Sequence, residues 1–591
     1  MPEINSFPIQ TKTFVDLDVM PASALSNSDP LLIYDESVGV WKTITVAAIK
    51  GNNFTIDTVL DFPSTNTNIG DVYTTNGAVS VGDGGSGVFD IVDTPPFAAD
   101  GYSVIQTATG WYAVIRPVSG SLSLLCFGAE KDADCTVAIT KAKLYSSLSG
   151  SKIIVPEGTF FYSGFVITQD NVVFEGAHRQ LSVFKLLDAI NTHGCEIAGC
   201  SNVTLRNLTI DQNRQGNLTG GHGIRFGGAN QVTLENLRIN NSRAYGIGMQ
   251  AGTNTNINIL NCRIATAGLD GIDIKDFNQL NDNIYIQNLA VVNHGQDEGE
   301  KPAIDWRGKI TVNGLFVSTN AAETIGVRAR LQSTQGLAGT GNISNVTCIC
   351  NGVAANSNAI VIEGSAIATD IPRQVNFNNF KVVGYQRIGL LGNRAIANLS
   401  NISGQAITGD CFLAYCAGVS VDGLKVTSCD RVFSAQPATT GLKIRNAVIE
   451  SITNASMFAI SAGATNVDVD DCDFPAGKTF SDASGNETIK LSRIKNYPMK
   501  KNLSSAALSI DSIGSKIFDI AHGFPFTPRI TDVQLTINRD VGAVGDHRVQ
   551  LLQVDAVNAT NVSGRMVVTT ASATVGATAK VTARVETKYS I

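Results

Sequence analysis

Charge is scarce in this chain. Aspartate, glutamate, lysine and arginine make up 16% of its 591 residues, with a formal net charge of −7. A protein that grips a nucleic-acid backbone presents a basic face, so this balance argues against that partner. No run of about 18 apolar residues occurs, and no membrane insertion is expected. The first residues, MPEINSFPIQTKTF, lack the basic and apolar regions of a secretory leader, and synthesis and folding in a cytoplasm are expected. The eleven cysteines are odd in number and scattered, and Cys195 and Cys200, four residues between them, have no matching His or Cys pair at zinc-ligand spacing. The expectation is reduced thiols packed among apolar side chains, with neither metal nor cofactor.

What the chain has in plenty is one strand pattern, repeated roughly every 25 residues. It reads NVTLRNLTI (202–210), QVTLENLRI (231–239), NINILNCRI (256–264), NIYIQNLAV (283–291) and KITVNGLFV (309–317), with weaker copies at 374–382, 418–426, 441–449 and 466–474. A small polar residue or glycine marks the same turn in each: Asn207, Asn236, Asn261, Asn288, Gly314, Asn379, Gly423, Asn446 and Asp471. Strict alternation means that one face of each strand is buried. So short a unit cannot bury that face alone, and stacking the units into a coil solves the problem while leaving a long outer surface for an extended ligand. The fold class is therefore all-β, a solenoid with flanking β-rich modules.

Three parts are expected. Residues 1–118 lack the period and hold short strands (LLIYD, VWKTITV, GWYAVIRPV) broken by Asn, Pro and Gly. Gly82, Gly84 and Gly87 in this part match a dinucleotide-binding glycine pattern, but the strand-like VFDIVD follows where a helix is required, which argues against nucleotide. Residues 119–497 carry the coil. In residues 498–591 the period is lost, and ITDVQLTI, HRVQLLQV, GRMVVTT and AKVTARVETKY suggest a compact β-sandwich.

The segment LCFGAEKDADCTVAITKAKLYSSLSGSKIIVPEGTFFYSG (125–164) resembles the start of the pectate-lyase-like right-handed parallel β-helix, on Phe127, Gly128, Ala129, Ala138, Ile139, Pro156, Gly158 and Thr159. Glu130 to Cys135 replace the glycine and paired aspartates usual there, a departure confined to the cap helix. GDGGSGVFDIVD followed by GWYAVIRPV resembles the neck of bacteriophage tailspikes, and LLIYDESVGVWKTITVAAIKG (31–51) resembles a phage-tail anchoring module. The order anchor, neck, β-helix, C-terminal β-domain is that of the tailspike and capsule-depolymerase family. The resemblance implies a homotrimer assembled through its C-terminal domain, which could also bind carbohydrate. It implies attachment to phage tail or baseplate proteins through the N-terminus, a place on the virion tail, and recognition and often cleavage of a bacterial surface polysaccharide, capsule or O-antigen. It leans towards hydrolysis with inversion.

Each rung carries a second short strand: GIRFG (223–227), GIGMQ (246–250), GIDIK (271–275), AIDWR (303–307), TIGVR (324–328) and AIVIE (359–363). Aligning the apolar pairs Ile224/Phe226, Ile247/Met249, Ile272/Ile274, Ile304/Trp306, Ile325/Val327 and Ile360/Ile362 inward turns the alternate positions outward. One outward column then reads Arg225, Gly248, Asp273, Asp305, Gly326, Val361, and the next Gly227, Gln250, Lys275, Arg307, Arg328, Glu363. Adjacent rungs lie about 4.8 Å apart, so Asp273 and Asp305 are expected to be neighbours. Paired carboxylates split their pKa values: one acts as general acid on a glycosidic oxygen, the other activates water or attacks the sugar. Asp270, Asp276 and Glu323, at the ends of the same strands, are candidates for either role, while Gly248 and Gly326 leave space beside the pair. Lys275, Arg307 and Arg328, with Glu363, His294 and Glu323, are the candidate substrate-binding residues, the cations suiting acidic sugars. The plain alternative is a solvated face of mutually compensating charges.

Other readings stay open. A site between subunits would draw on Glu363, Asp410, Asp422 or Asp430. His222, in Gly-His-Gly, resembles a motif of pectin-cleaving hydrolases but precedes the aspartates instead of following them. His294 opens the acidic loop NHGQDEGEKP (293–302), expected to project and wall a groove; its Asp297, Glu298 and Glu300 have no calcium-loop spacing. Tyr245 and Phe277 are candidates to stack on sugar rings, whereas alternation puts Trp306 in the core. A polysaccharide lyase of the same architecture and a receptor-binding fibre without chemistry are the competing functions.

Overall fold

Alternating residues in the repeats do become strands with one buried face, paired in parallel and in register from rung to rung. Val203, Val232, Ile257, Ile284 and Ile310 form one interior row, and Leu205, Leu234, Ile259, Ile286 and Val312 the next. The structure is a computed structural model. It describes residues 30–35, 40–45 and 53–495, apart from 276–280, 322, 332–339, 353–355, 365–373 and 483–488, and beyond 499 only the strands' backbone. Among the described residues no helix is long and apolar enough to cross a membrane.

The turn position inferred from the repeats has a physical basis. Asn207, Asn236, Asn261, Asn288, Asn379, Asn446 and Asp471 all have φ between 50° and 57°, and Gly314 and Gly423 have 81° and 72°. This left-handed conformation is open to glycine and tolerated by asparagine or aspartate. The amides also bond along the coil: Asn236 Nδ2 donates to Asn207 Oδ1 at 2.8 Å, Asn288 to Asn261 at 3.0 Å and Asn379 to Asn345 at 2.7 Å.

The chain forms two units, Met1–Val155 and Pro156–Ile591. In the first, Pro30–Asp35 pairs antiparallel with Val40–Thr45, and Asn53–Thr58, Val72–Gly77, Val88–Val92, Tyr112–Ile115 and Val104–Gln106 make a five-stranded sheet over Phe62 and Phe89. The glycine-rich segment is a turn folded around the Asp83 carboxylate, which accepts from the backbone N–H of Ala78, Val79, Ser80 and Gly85 and leaves no phosphate cradle. The helix Thr136–Ser149 ends on Gly150, at φ 70°.

In the second unit the longer sheet holds the repeats, and a 13-stranded parallel sheet holds the second strand of every rung. Between them lies a dry core of Ile, Val, Leu and Phe that includes Trp306. All eleven cysteines of the chain are free and buried. From Lys500 onward pairing turns antiparallel: Lys500–Ser504, Leu508–Ser509 and Val533–Val541 flank Thr578–Glu586, while Gly514–Ala521 and Arg548–Val557 flank Asn561–Thr570.

Along the 13-stranded sheet the inferred inward pairs hold for Ile224/Phe226, Ile247/Met249, Ile272/Ile274 and Ile304/Trp306. The next rung sits two residues off the expected register. Ile304 pairs with Val327 and Trp306 with Ala329, so that Asp305 faces Arg328, and Arg330 takes the place beside Glu363. A two-residue slip preserves alternation, so the pattern alone cannot distinguish the frames. The structural frame sets the bulky Trp306 against the small Ala329. Gly326 faces the interior, where a Cβ would lie 2.4 Å from the Ala359 carbonyl and 2.9 Å from Cys348 Sγ, and opens no space beside the aspartates.

Candidate functional site

Two adjacent rungs bring three carboxylates together. Asp273 and Asp305 are register partners on adjacent strands, Ile272–Ile274 and Lys301–Trp306. Asp270 comes from the turn just before the first of these. That turn tucks in tightly because Gly271 follows: a Cβ there would stand 2.5 Å from the Ala303 carbonyl, and Gly246 and Gly223 are squeezed in the same way one and two rungs earlier. Asp273, Asp305 and Asp270 are 0%, 2% and 3% exposed. One carboxylate oxygen of each lies within 4.8 Å of the other two.

Cations surround the trio. Lys275 Nζ lies 3.1 Å from Asp273 Oδ2, which also accepts from Gln250 Nε2 at 2.8 Å. Asp305 accepts from Arg328 Nη2 at 2.6 Å and from Arg330 Nε at 3.0 Å, and Arg330 Nη1 donates to Glu363 at 2.8 Å. Gln250 reaches Asp273 because it is the extra residue of a bulge opposite Phe226 and Gly227. Asp273 Oδ2 and both Asp305 oxygens are thus engaged by lysine, glutamine and arginine, whereas Asp270 Oδ1 and Asp273 Oδ1 have no partner.

The three acids are electrostatically unlike. Burial pushes the Asp270 carboxyl well above the usual carboxylate range, and the charges of Asp273 and Asp305 push the same way. Burial also raises Asp273, opposed by Lys275 and aided by Asp305. For Asp305 burial acts upward too, but hydrogen bonds and charge from Arg330 and Arg328 outweigh it and hold the group low. One cluster thus holds a carboxyl that keeps its proton and one that loses it readily.

Beside the acids stands an aromatic group. His222 stacks on His193, with ring centroids 4.6 Å apart, tilts against Tyr245 at 5.0 Å, and shares a 3.2 Å hydrogen bond with Gln250 Oε1. Gly248 makes room for it, since a Cβ there would come within 3.0 Å of its ring; the space expected beside Asp273 is filled by this imidazole. Burial, then His193, drive the His222 pKa down to about 3, so the ring is neutral near pH 7. Tyr245 accepts from Lys275 Nζ at 3.1 Å.

Of the residues singled out in the sequence, the structure gathers Asp270, Asp273, Asp305, Lys275, Arg307, Arg328 and Glu363 in one place. His294 is not among them: it is fully buried, its Nε2 within hydrogen-bond reach of the Ile325 carbonyl at 3.1 Å and Thr324 Oγ1 at 3.0 Å, and burial holds its pKa near about 4. Glu323 lies elsewhere, on a shallow hollow with the 295–299 loop. That loop does not project. It is pinned by backbone bonds from Gly295 to Leu269 and from Asp297 to Gly268, and by ion pairs of Asp297 with Arg214 and Arg243. Asp410, Asp422 and Asp430 bond side chains on neighbouring rungs, Ser434, Asn446 and Thr453. Asp276 and Phe277 lie outside the described residues. Arg330, Gln250 and His193 had been missed. Arg330 was within reach of the correct two-residue frame, whereas nothing in the sequence marks the bulge at Gln250.

A family model described as a right-handed β-helix region matches residues 135–303. No curated protein matches the chain. Among solved structures, a mutant tailspike protein of the Escherichia coli bacteriophage HK620, in complex with a hexasaccharide, is similar at 13% identity and a TM-score of 0.51, over 83% of this chain and 98% of that one. The coil is a tailspike-like right-handed β-helix. Two further matches have lower scores. The tailspike gp49 of the Acinetobacter baumannii bacteriophage Fri1, a capsular polysaccharide depolymerase, aligns at 13% identity and 0.42 over 91% of this chain and 99% of that chain. The pre-mature gene product 12 of bacteriophage phi29 aligns at 16% and 0.48 over 64% and 56%. At these identities the likeness concerns the fold, and the β-helix site must be judged on its own residues.

Proposed function

We propose that the protein is a homotrimeric spike of a phage tail that binds a bacterial capsular or O-antigen polysaccharide and hydrolyses its glycosidic bonds at the Asp270–Asp273–Asp305 cluster. The observation that carries this reading is the cluster itself: three buried carboxyls within 4.8 Å, one pushed well above and one held below the usual range. Acid and base assignments follow from environments that drive like groups apart. Asp270 keeps its proton and supplies it to the leaving oxygen. Asp273, with Oδ1 unpartnered, is the second carboxylate at the sugar carbon. Asp305, gripped by Arg328 and Arg330, holds the negative charge that keeps Asp270 protonated. The stereochemical outcome, inversion or retention, follows from the separation of the Asp270 and Asp273 carboxyls around the bound sugar. The shared fold with a tailspike crystallised with a hexasaccharide supports a saccharide ligand.

One contact favours a second reading. The Tyr245 hydroxyl accepts from Lys275 Nζ at 3.1 Å beside the aspartates, and a tyrosine next to a cation is a candidate base for a polysaccharide lyase acting on a uronate. Incubating the protein with capsular polysaccharides and lipopolysaccharides from a strain panel, following reducing ends and ultraviolet absorbance together, separates the cases. New reducing ends without a chromophore are expected. A chromophore would make it a lyase, and binding without new ends would make it a receptor-binding fibre.

A further inference from the structure

Four cationic side chains meet at the aspartates, and three have carboxylate partners: Lys275 with Asp273, Arg328 with Asp305, and Arg330 with both Asp305 and Glu363. Arg307 is the exception. Its backbone N–H bonds the Ile274 carbonyl at 3.0 Å, which sets it beside Lys275. Among the described residues its guanidinium has neither an ion pair nor a hydrogen bond, and Nη1 is shut off from water without an acceptor. Arg307 is half-buried, and a guanidinium nitrogen shut off from water without an acceptor carries a cost that an incoming acceptor would relieve. Burial weighs on its charge, while Asp305 and Asp273 favour it and Arg330 and Arg328 repel it.

Charge bookkeeping agrees. Asp270 carries its proton, so Asp273, Asp305 and Glu363 face Lys275, Arg307, Arg328 and Arg330, and the cluster is left with one positive charge in excess. A single surplus charge on a planar fork matches a planar monoanion, and carboxylate meets guanidinium with two parallel hydrogen bonds. We propose that Arg307 receives a carboxylate of the polysaccharide, so that the substrate class is an acidic polymer with a uronic or similar acid sugar bound beside the aspartates. This rests on the reading of the cluster as a polysaccharide site and names what that site selects.

The test uses full-length protein carrying Asp270→Asn, which stops turnover without altering the cluster's charge, against immobilised acidic and neutral bacterial polysaccharides. Each acidic polymer is also presented after chemical reduction of its carboxyls to alcohols. Binding to at least one acidic polymer is expected, weakened at least tenfold by carboxyl reduction. Adding Arg307→Gln should weaken it by a similar factor, and the two losses should not add, because they remove two ends of one contact. Arg307→Lys should recover part of the binding. Equal affinity for native and reduced polymer, binding confined to neutral polymers, or full affinity in the Arg307→Gln protein would each overturn the inference and leave the polysaccharide reading standing. Binding to no polysaccharide would overturn both. The carboxyl-reduction arm needs no second variant, so a misfolded Arg307→Gln protein would not blunt the test.

Discussion

An acid that has been taken out of water and set beside two others becomes, at neutral pH, a neutral hydrogen-bond donor, and the fold bears a cost for keeping Asp270 in that state. Its folded pKa is raised, so its contribution to stability is complete below the unfolded carboxyl value of about 3.9 and is lost as pH rises towards the folded value. Asp270→Asn removes a group that must hold its proton. We expect the variant to melt at a higher temperature than the wild type at pH 7 and at the same temperature near pH 3.5, while losing at least a hundredfold in turnover. Equal melting at both pH values would remove the claim that Asp270 is neutral in the fold. Arg330→Met tests the opposite member. Asp305 is held low by Arg330 and Arg328, so losing one of them should raise its pKa and move the acidic limb of the pH–rate profile to higher pH. An unmoved limb would show that Asp305 does not govern that limb. At this scale much was legible. Alternation alone made Asp273 and Asp305 neighbours and placed Lys275 and Arg307 beside them. Arg330 was hidden because a slip of two residues leaves every side chain on the same face, and Gln250 because a bulge has no periodic signature.

At the scale of the element, the turn asparagines carry the geometry of every rung. Asn261 has φ 54°, its backbone N–H donates to the Gln287 carbonyl at 2.8 Å, a bond glycine would keep, and its Oδ1 accepts from Asn288 Nδ2 at 3.0 Å. Asn261→Ala meets the left-handed penalty of about 1–2 kcal/mol and also loses that bond. Asn261→Gly loses only the bond and should be the milder change in thermal unfolding; the reverse order would disprove the conformational account. The glycine before the strands that begin at 224, 247 and 272 is more demanding. At Gly246 a Cβ would lie 2.4 Å from Ile264 Cγ2 and 2.6 Å from the Gly271 carbonyl, so Gly246→Ala should reduce soluble yield sharply. The repeat made both positions visible, and the residue types named the conformation. Asp270 stands at the end of its strand, before the glycine that recurs at 223, 246 and 271, where alternation does not say which way a side chain points, so its place could be offered only as an alternative.

For the whole molecule, two buried neutral histidines set an acid limit. His222 and His294 have folded pKa values of about 3 and about 4, both lowered mainly by burial. Depressed values of a basic group mean stability that is present above the unfolded value of about 6.5 and is lost as pH falls towards the folded ones, by up to about 1.4 kcal/mol per pH unit for each ring. Replacing His294 by Gln should flatten the fall of melting temperature between pH 6.5 and 4; an unchanged slope would place the acid sensitivity elsewhere. The coil, its sheets and its core were readable from the 591 residues because a repeat states the same fact many times. The assembly of chains is stated once or not at all, and light scattering on the full chain, expected at about three times 62.3 kDa, decides it.

The rung-to-rung register has a further consequence, for inheritance. Each turn touches only the turns above and below it, and each offers its neighbours the same backbone edge. A one-residue insertion within a strand turns its side chains inside out, whereas gain or loss of a complete turn away from residues 222–363 leaves every contact of the aspartate cluster as it was. Length and chemistry can then diverge separately, the coil growing or shrinking in whole turns while one short stretch keeps the same cluster of charges.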